Sequence, residues 1–317
     1  MLEKIDPRAR SLVRLMLVEP DAQLRGNLRQ VLIGAGFKNL QDCGSIENLE
    51  EDFENNPPDL LFIDAHTPGG DACDLVHRLR FSVQSRNPFL SVILTVWQSK
   101  ASDISRLINS GADHIVLKPV SPQTIFARIE ALLAQRKPFV ATSRYIGPDR
   151  RKDGRADGRI PHFEVPNSLL QKVTNLHLDQ AKLQHEIDQA LSLINLEMTR
   201  RLAFHLAFEA KHLADAAPAN QGEAAQAFES FQLTLFEFQR RQEKGGSDDI
   251  FKTARAIGEI CAKASPGLPE GKDLALLLKL SLAINLGVRS DLSSDGLFRE
   301  VNAALEKHRL LNYCQGR

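Results

Sequence analysis

The sequence predicts a doubly wound α/β domain followed by an all-α domain. Between residues 12 and 136, short apolar runs alternate with segments whose apolar residues recur at helical spacing. Repeated strand–helix units of this kind build a parallel sheet covered on both faces. After residue 167 the β-branched alternation stops, and apolar residues recur every three or four positions instead.

The strands are predicted from the runs Leu12–Val18, Leu60–Ile63, Leu90–Val96 and Ile115–Leu117, with a weaker one around Lys38–Cys43. The helices between them are predicted from shared faces. These are Leu24, Leu28, Val31 and Leu32; then Leu75, Val76 and Leu79; then Ile104, Leu107 and Ile108; and last Ile125, Ile129, Leu132 and Leu133. Five units fit a flavodoxin-like sheet of order 2-1-3-4-5 in a domain spanning 1–136. Residues 137–167 read as a basic, Pro/Gly-rich linker, because Lys137 to Ile160 hold seven Lys/Arg against three Asp and the turn-forming "DGRADGR". Residues 168–317 read as a helical output or dimerisation domain. Its first stripe, from Leu169 through Leu176, Leu183, Ile194, Leu202 and Leu206 to Leu213, is expected to form one helix over 168–216, ended by Pro218. Further helices are expected at 222–243, 248–264, 271–287 and 296–311.

Composition narrows the function classes. The 317 residues are 43% hydrophobic and 25% charged, with 40 Lys+Arg against 40 Asp+Glu. A net charge of zero argues against a general nucleic-acid or membrane-surface binder. Residues 168–317 carry 18 Lys/Arg against 19 Asp/Glu and no clear helix-turn-helix, which argues against DNA as the target of the second half. Cys43, Cys73, Cys261 and Cys314 are scattered, as in reduced cytoplasmic proteins. The N-terminus lacks the apolar stretch of a signal peptide, and no apolar run is long enough to span a membrane.

The chemistry concentrates at strand ends. In a doubly wound sheet, ligands sit beyond the carboxyl ends of the strands, at the switch point. "LMLVE" ends the first strand on Glu19, "LLFID" the third on Asp64, "VILTV" the fourth with Thr95, and "HIVLKP" the fifth with Lys118. Two carboxylates favour a hard divalent cation, Mg²⁺ first. A cation and an ammonium neutralise a phosphoryl group, a hydroxyl hydrogen-bonds one of its oxygens, and an aspartate can form an acyl phosphate.

With Glu19, "FIDAHTPGGD", "ILTV" and "GADHIVLKPV" in place, residues 12–136 resemble the receiver domain of bacterial two-component response regulators. The resemblance implies Asp64 as phospho-acceptor, with a histidine kinase or phosphotransfer protein as donor. It implies contacts from Thr95 and Lys118 to the phosphoryl group, with Thr95 coupling it to the segment after the fourth strand. Mg²⁺ would be held by Glu19, Asp64 and the backbone carbonyl of His66, and the peptide before Pro119 would be cis. A phosphorelay switch rather than an enzyme is expected. Three positions depart from the family pattern. Pro20 replaces a second acidic residue, which weakens the Mg²⁺ site. Val96 stands where a small residue is usual, and Ile115 where an aromatic switch often sits. These departures raise an alternative, a pseudo-receiver acting by contact without phosphate chemistry.

Other motifs are weaker. Arg151 and Arg155 in "RRKDGR", with "DLSSDG" at Asp291–Gly296, resemble the two cyclic di-GMP signatures of PilZ domains. Their separation by a helical half favours a basic linker and a helix-capping turn. His205, Glu209 and His212 share a helix face but lack the second pair a di-metal bundle needs. His185 and His205 lack the Lys-Gly pattern of phosphotransfer histidines. The long 168–216 helix, if formed, must bury its stripe in a dimer or docking interface.

Overall fold

A computed structural model describes residues 5–303, apart from 48, 50–52, 54–55, 84, 98–100, 152–159, 243–247, 265–266, 270, 290–295, 298, 300 and 302. The chain divides into two units, Met1–Ile194 and Asn195–Arg317.

In the first unit the elements run α1 (Pro7–Leu12), β1 (Leu15–Val18), α2 (Ala22–Gly34), β2 (Leu40–Cys43), β3 (Leu60–Asp64), α3 (Ala72–Phe81), β4 (Ser91–Val96), α4 (Ala101–Asn109), β5 (His114–Leu117) and α5 (Pro122–Ala134). The five strands are parallel in the order β2-β1-β3-β4-β5. The doubly wound expectation holds. Strands β1, β3 and β4 are buried at every residue, as parallel strands covered on both faces must be. One core face holds Met16, Leu61, Ile63, Val76 and Leu94, and the other holds Leu15, Leu17, Phe62, Ile93 and Ile129. Side-chain caps start the helices: Asp21 for α2, Asp71 for α3 and Ser121 for α5. Of the face expected on α4, Leu107 is buried, but Ile104 and Ile108 point outward at 48% and 37% exposure.

Two expectations about chain organisation are corrected. Residues 137–167 are not a bare tether. They contain β6 (Phe139–Thr142), β7 (Tyr145–Pro148) and β8 (His162–Phe163), an antiparallel sheet of order β7-β6-β8. The alternation in "FVAT" and "YIGP" was too short to outweigh the prolines, glycines and charges around it. The boundary at 136 also falls, because Phe139 is wholly buried. Its ring lies edge-on to Phe89, at 5.8 Å between centroids. The Arg80 and Arg136 guanidiniums lie 5.2 and 5.0 Å from its centre.

The second correction is to the 168–216 helix, which is broken. Helix α6 (Ser168–Thr174) ends with Asn175 as C-cap, and α7 (Gln180–Ala216) begins after Asp179. Asp179 Oδ1 accepts the Ala181 and Lys182 amides at 2.9 and 3.2 Å. Polar capping residues thus interrupt the stripe, and Leu176 between them is 40% exposed. Helix α6 packs on the first unit rather than in a separate helical domain. Leu169 and Val173 join its core, Lys172 pairs with Asp59 at 2.7 Å, and the Asn87 amide donates to the Ser168 hydroxyl at 3.1 Å.

The second unit is built from the later part of α7, then α8 (Gln221–Gln242), α9 (Asp248–Ala264) and α10 (Gly271–Val288). Its core includes Leu202, Leu206, Phe231, Phe238, Ile257, Leu277 and Ile284. The helix expected at 296–311 lies largely outside the described residues. None of the described helices is long and apolar enough to cross a membrane.

At the amino edge of the sheet, Asp113 accepts hydrogen bonds from Arg80 at 3.0 Å, from Arg136 at 2.8 Å and from the Val92 amide at 2.9 Å. Burial pushes its carboxyl up, but Arg136 and Arg80 outweigh this and hold it below 3.8. Asp113 therefore contributes stability that is present above pH 3.8 and lost as pH falls through its lowered value. We expect Asp113→Ala to lower the urea midpoint by about 3–5 kcal/mol equivalent, since two buried guanidiniums lose their counter-charge. Asp113→Asn is expected to flatten the acid limb of the stability profile. An unchanged acid limb contradicts this account.

Candidate acceptor site

The register of the parallel sheet sets the site. Asp64 and Thr95 are paired across β3 and β4, and Val18, just before Glu19, lies beside Ile63. Three strand ends therefore deliver Glu19, Asp64 and Thr95 to one edge, and Lys118 follows β5 at the same edge. All four are buried, at 2%, 2%, 3% and 7% exposure.

Lys118 sits between the two carboxylates. Its ammonium donates to Glu19 Oε2 at 2.6 Å and lies 2.5 Å from Asp64 Oδ2. The main chain fixes this reach. The Lys118 amide donates to the Val96 carbonyl at 2.8 Å, and the Lys118–Pro119 peptide is cis. Asp64 Oδ1 accepts the His66 amide at 2.7 Å, and the Thr67 hydroxyl donates to the Asp64 carbonyl at 2.7 Å. Asp64 Oδ2 is buried against the Lys118 ammonium. A carboxylate oxygen has more than one acceptor site, so Oδ2 keeps lone-pair capacity beside that cation, which is what a nucleophile or metal ligand needs. Among the described residues the Thr95 hydroxyl meets the Ile63 carbonyl, at a long 3.5 Å.

The β1–α2 corner holds Glu19. Its Oε1 accepts the Asp21 amide at 3.2 Å, and the Arg25 guanidinium donates to its main-chain carbonyl at 2.6 Å. Pro20 is exposed and brings no carboxylate. Asp21 caps α2 through the Leu24 amide at 2.8 Å. The oxygen donors available at the pocket are thus the Glu19 and Asp64 carboxylates, beside the main chain at His66, whose side chain is exposed. Val96 is wholly buried, and Ile115 packs against the same core. Among the described residues no cluster of three or more His, Cys, Asp or Glu side chains is placed to hold a metal.

Sequence reasoning missed three neighbours: Thr67, Arg25 and Trp97. The Trp97 ring centre lies 5.6 Å from the Lys118 ammonium. It lies one residue past the end of β4, where strand alternation no longer fixes the face, so the sequence did not place it.

The remaining motif residues do not join this site. Arg151 forms a bidentate pair with Asp149, and Asp149 also meets His162 at 2.6 Å. Arg155 and residues 291–295 lie outside the described residues. Glu209 accepts the Ser230 hydroxyl at 2.8 Å, whereas His212 contacts Glu223 at 3.0 Å. His185 is exposed and meets Gln189 at 2.9 Å.

Lys118→Met should leave two buried carboxylates facing one another with no cation. A loss of about 3–5 kcal/mol is expected from urea unfolding of the full chain. A loss below about 1 kcal/mol, the range of exposed pairs, contradicts the buried geometry.

Residues 15–130 match the response regulator receiver domain family. The chain is 30% identical over 129 residues to the phosphate regulon transcriptional regulatory protein PhoB of Escherichia coli K12, covering 40% of this chain and 54% of that protein. It is 30% identical over 132 residues to the protein of the same name in Rhizobium meliloti 1021, covering 42% and 57%. The chain thus spans about half the length of the curated relatives it matches. Among solved structures, the non-phosphorylated HemR receiver domain of Leptospira biflexa is similar at 23% identity and a TM-score of 0.34, covering 40% of this chain and 98% of that one. Strand order, the convergence of Glu19, Asp64, Thr95 and Lys118, and the family match together identify residues 15–130 as a response regulator receiver domain.

Proposed function

We propose that the chain is a two-component response regulator that accepts a phosphoryl group on Asp64 and signals through protein contacts of its helical part. The observation that carries this reading is Asp64 Oδ2, buried at the sheet edge 2.5 Å from the Lys118 ammonium, which also meets Glu19. In the reaction the N–P bond of a phosphohistidine on a kinase or phosphotransfer protein breaks as the bond from Asp64 Oδ2 to phosphorus forms, and the released imidazole takes up a proton. The His66 amide holds Oδ1 and so turns Oδ2 toward the donor. Lys118 pairs with the incoming oxygens, and the Thr95 hydroxyl, weakly engaged at 3.5 Å, can turn to donate to one of them.

The donor set fits Mg²⁺, with Glu19, Asp64 and the His66 carbonyl as the residues that would hold it. Such an ion supplies charge neutralisation for the phosphoryl oxygens. Pro20 leaves the set one carboxylate short, so the affinity is expected to be weak. A second reading, a pseudo-receiver, is favoured by Lys118 itself, which already neutralises part of the charge of both carboxylates.

For the output, the near-neutral charge of 168–317 supports a protein target rather than DNA. On α8, Leu233 and Phe236 stand one turn apart and are each 67% exposed, as a docking helix would present them. The chain is read as a switch, not an enzyme.

Beryllium fluoride with Mg²⁺ decides between the two readings. The acceptor reading expects saturable amide shifts in nuclear resonance spectra that vanish in Asp64→Ala. It also expects a change in sedimentation if phosphorylation drives pairing of two copies. No shift in the wild-type chain at millimolar Mg²⁺ establishes the pseudo-receiver instead.

A further inference from the structure

We propose that α8 is a self-pairing surface: two copies of the chain associate through its outward face, antiparallel, with Leu233 of each against Phe236 of the other. The inference deepens the reading that the helical part works by protein contacts, and it names the partner. It needs no phosphate chemistry at Asp64, so its failure and the failure of the acceptor reading are separate results.

Helix α8 has two distinct faces. Ala224, Phe228, Phe231, Leu235 and Phe238 point into the core of the second unit. On the opposite side stand Glu229, Leu233, Phe236 and Arg240, all within about 60° of one another at 3.6 residues per turn. Leu233 and Phe236 are each 67% exposed. Glu229 is exposed and Arg240 partly so. The later stripe of α7, expected from the sequence to pair copies, is instead covered within the unit at Leu202, Leu206 and Leu213. The pairing surface therefore moves from α7 to α8.

Spacing and charge both point to a second copy as the occupant. The intervals along Glu229, Leu233, Phe236 and Arg240 are four, three and four residues, the same read from either end. A second copy laid antiparallel therefore sets Leu233 against Phe236 and Glu229 against Arg240, each twice, as a two-fold interface requires. Charge selects this direction. Glu237 accepts Arg240 at 3.0 and 3.1 Å and Arg241 at 2.8 Å. One carboxylate there meets two guanidiniums, and Glu229 of the second copy complements the positive excess. A parallel pairing sets Glu229 on Glu229 and Arg240 on Arg240, which like-charge repulsion opposes. In the antiparallel pair four apolar side chains close as a small core between two ion pairs. Two helices of 22 residues, each about 33 Å long, bury less than the ~1,200 Å² of the smallest standard interfaces. The pairing is thus a weak equilibrium, with a Kd of roughly ten to a hundred micromolar.

The test is sedimentation equilibrium of the full chain, with no phosphate donor and no Mg²⁺, from about tenfold below that range to about tenfold above it. The wild type is expected to show a monomer–dimer equilibrium. Phe236→Asp should weaken it about tenfold or more, the scale of one aromatic anchor at the centre of an interface. Its circular dichroism should stay that of the wild type, because the side chain faces outward; if helix is lost, Leu233→Asp takes its place. Glu229→Arg and Arg240→Glu should each weaken association about threefold or more, and the double variant should recover it. Within one chain these two residues lie about 16 Å apart along the helix, so recovery reports contact between copies. A chain that stays monomeric overturns the proposal, and so does a dimer that the aspartate variant leaves intact. A double variant no tighter than the single ones overturns the antiparallel alignment.

Discussion

Asp113 is the charge around which the first unit is organised. It counters two buried guanidiniums, Arg80 from α3 and Arg136 from the end of α5, and it also accepts the main chain at Val92 in β4. Arg80 meets the carbonyls of Gly111, Pro88 and Leu90 at 3.0, 2.6 and 2.8 Å as well, so most of its donors are used. Burial pushes the Arg80 guanidinium down to about 10, with Asp113 opposing that shift. Phe139 lies against both guanidiniums. A chain leaving α5 therefore finds a cationic, partly desolvated surface that an aromatic ring fits, and β6 begins there rather than trailing into solvent. Gly111, at φ +87°, follows from the same packing: a Cβ there would meet the Ile146 carbonyl at 2.6 Å and Arg80 at 2.9 Å.

The two edges of the sheet have opposite charge balances. At the amino edge one carboxylate faces two guanidiniums, and at the carboxyl edge one ammonium faces two carboxylates. The second arrangement carries a residual negative charge where a phosphoryl dianion would have to arrive. Lys118 alone does not neutralise Glu19, Asp64 and that dianion together. On the proposed acceptor reading, phosphate chemistry here would call for another cation, such as a divalent metal ion. A second carboxylate at residue 20 would deepen the negative charge and hold a divalent ion more firmly. With Pro20 in its place, Lys118 supplies a larger share of the resting neutralisation, and the incoming group must compete with Glu19 for it.

The sheet and its site were legible because both depend on short-range rules. Buried parallel strands must be apolar throughout, and their carboxyl ends must carry whatever chemistry the domain performs, so Glu19, Asp64, Thr95 and Lys118 could be placed without coordinates. The residues after 136 were not legible in the same way. Phe139 reads as one apolar residue beside a proline until Arg80 and Arg136, one of them 59 positions earlier, are known to await it. The break at Asn175–Asp179 had a visible signal in its capping residues, but the apolar spacing continued through it and misled.

Strand β3 joins these parts. Asp64 closes it at the acceptor edge. Asp59 precedes it at the other edge, where it accepts both the Arg14 amide at 2.8 Å and the Lys172 ammonium at 2.7 Å. Between them lie only buried residues, Leu60 to Ile63, hydrogen-bonded on both sides to β1 and β4. A central strand of this kind does not lengthen or slip without exposing its apolar side chains. It therefore fixes the anchor of α6 relative to the acceptor instead of transmitting a displacement along its axis. A new charge on Asp64 must act sideways, on groups that can turn without breaking the sheet. Those are the Thr95 hydroxyl, the Lys118 ammonium and the Trp97 ring, beside the outward Ile104 and Leu117 at 48% and 65% exposure. On the proposed acceptor reading, the surface around β4, α4 and β5 is thus where a change of charge at Asp64 would become a change of shape.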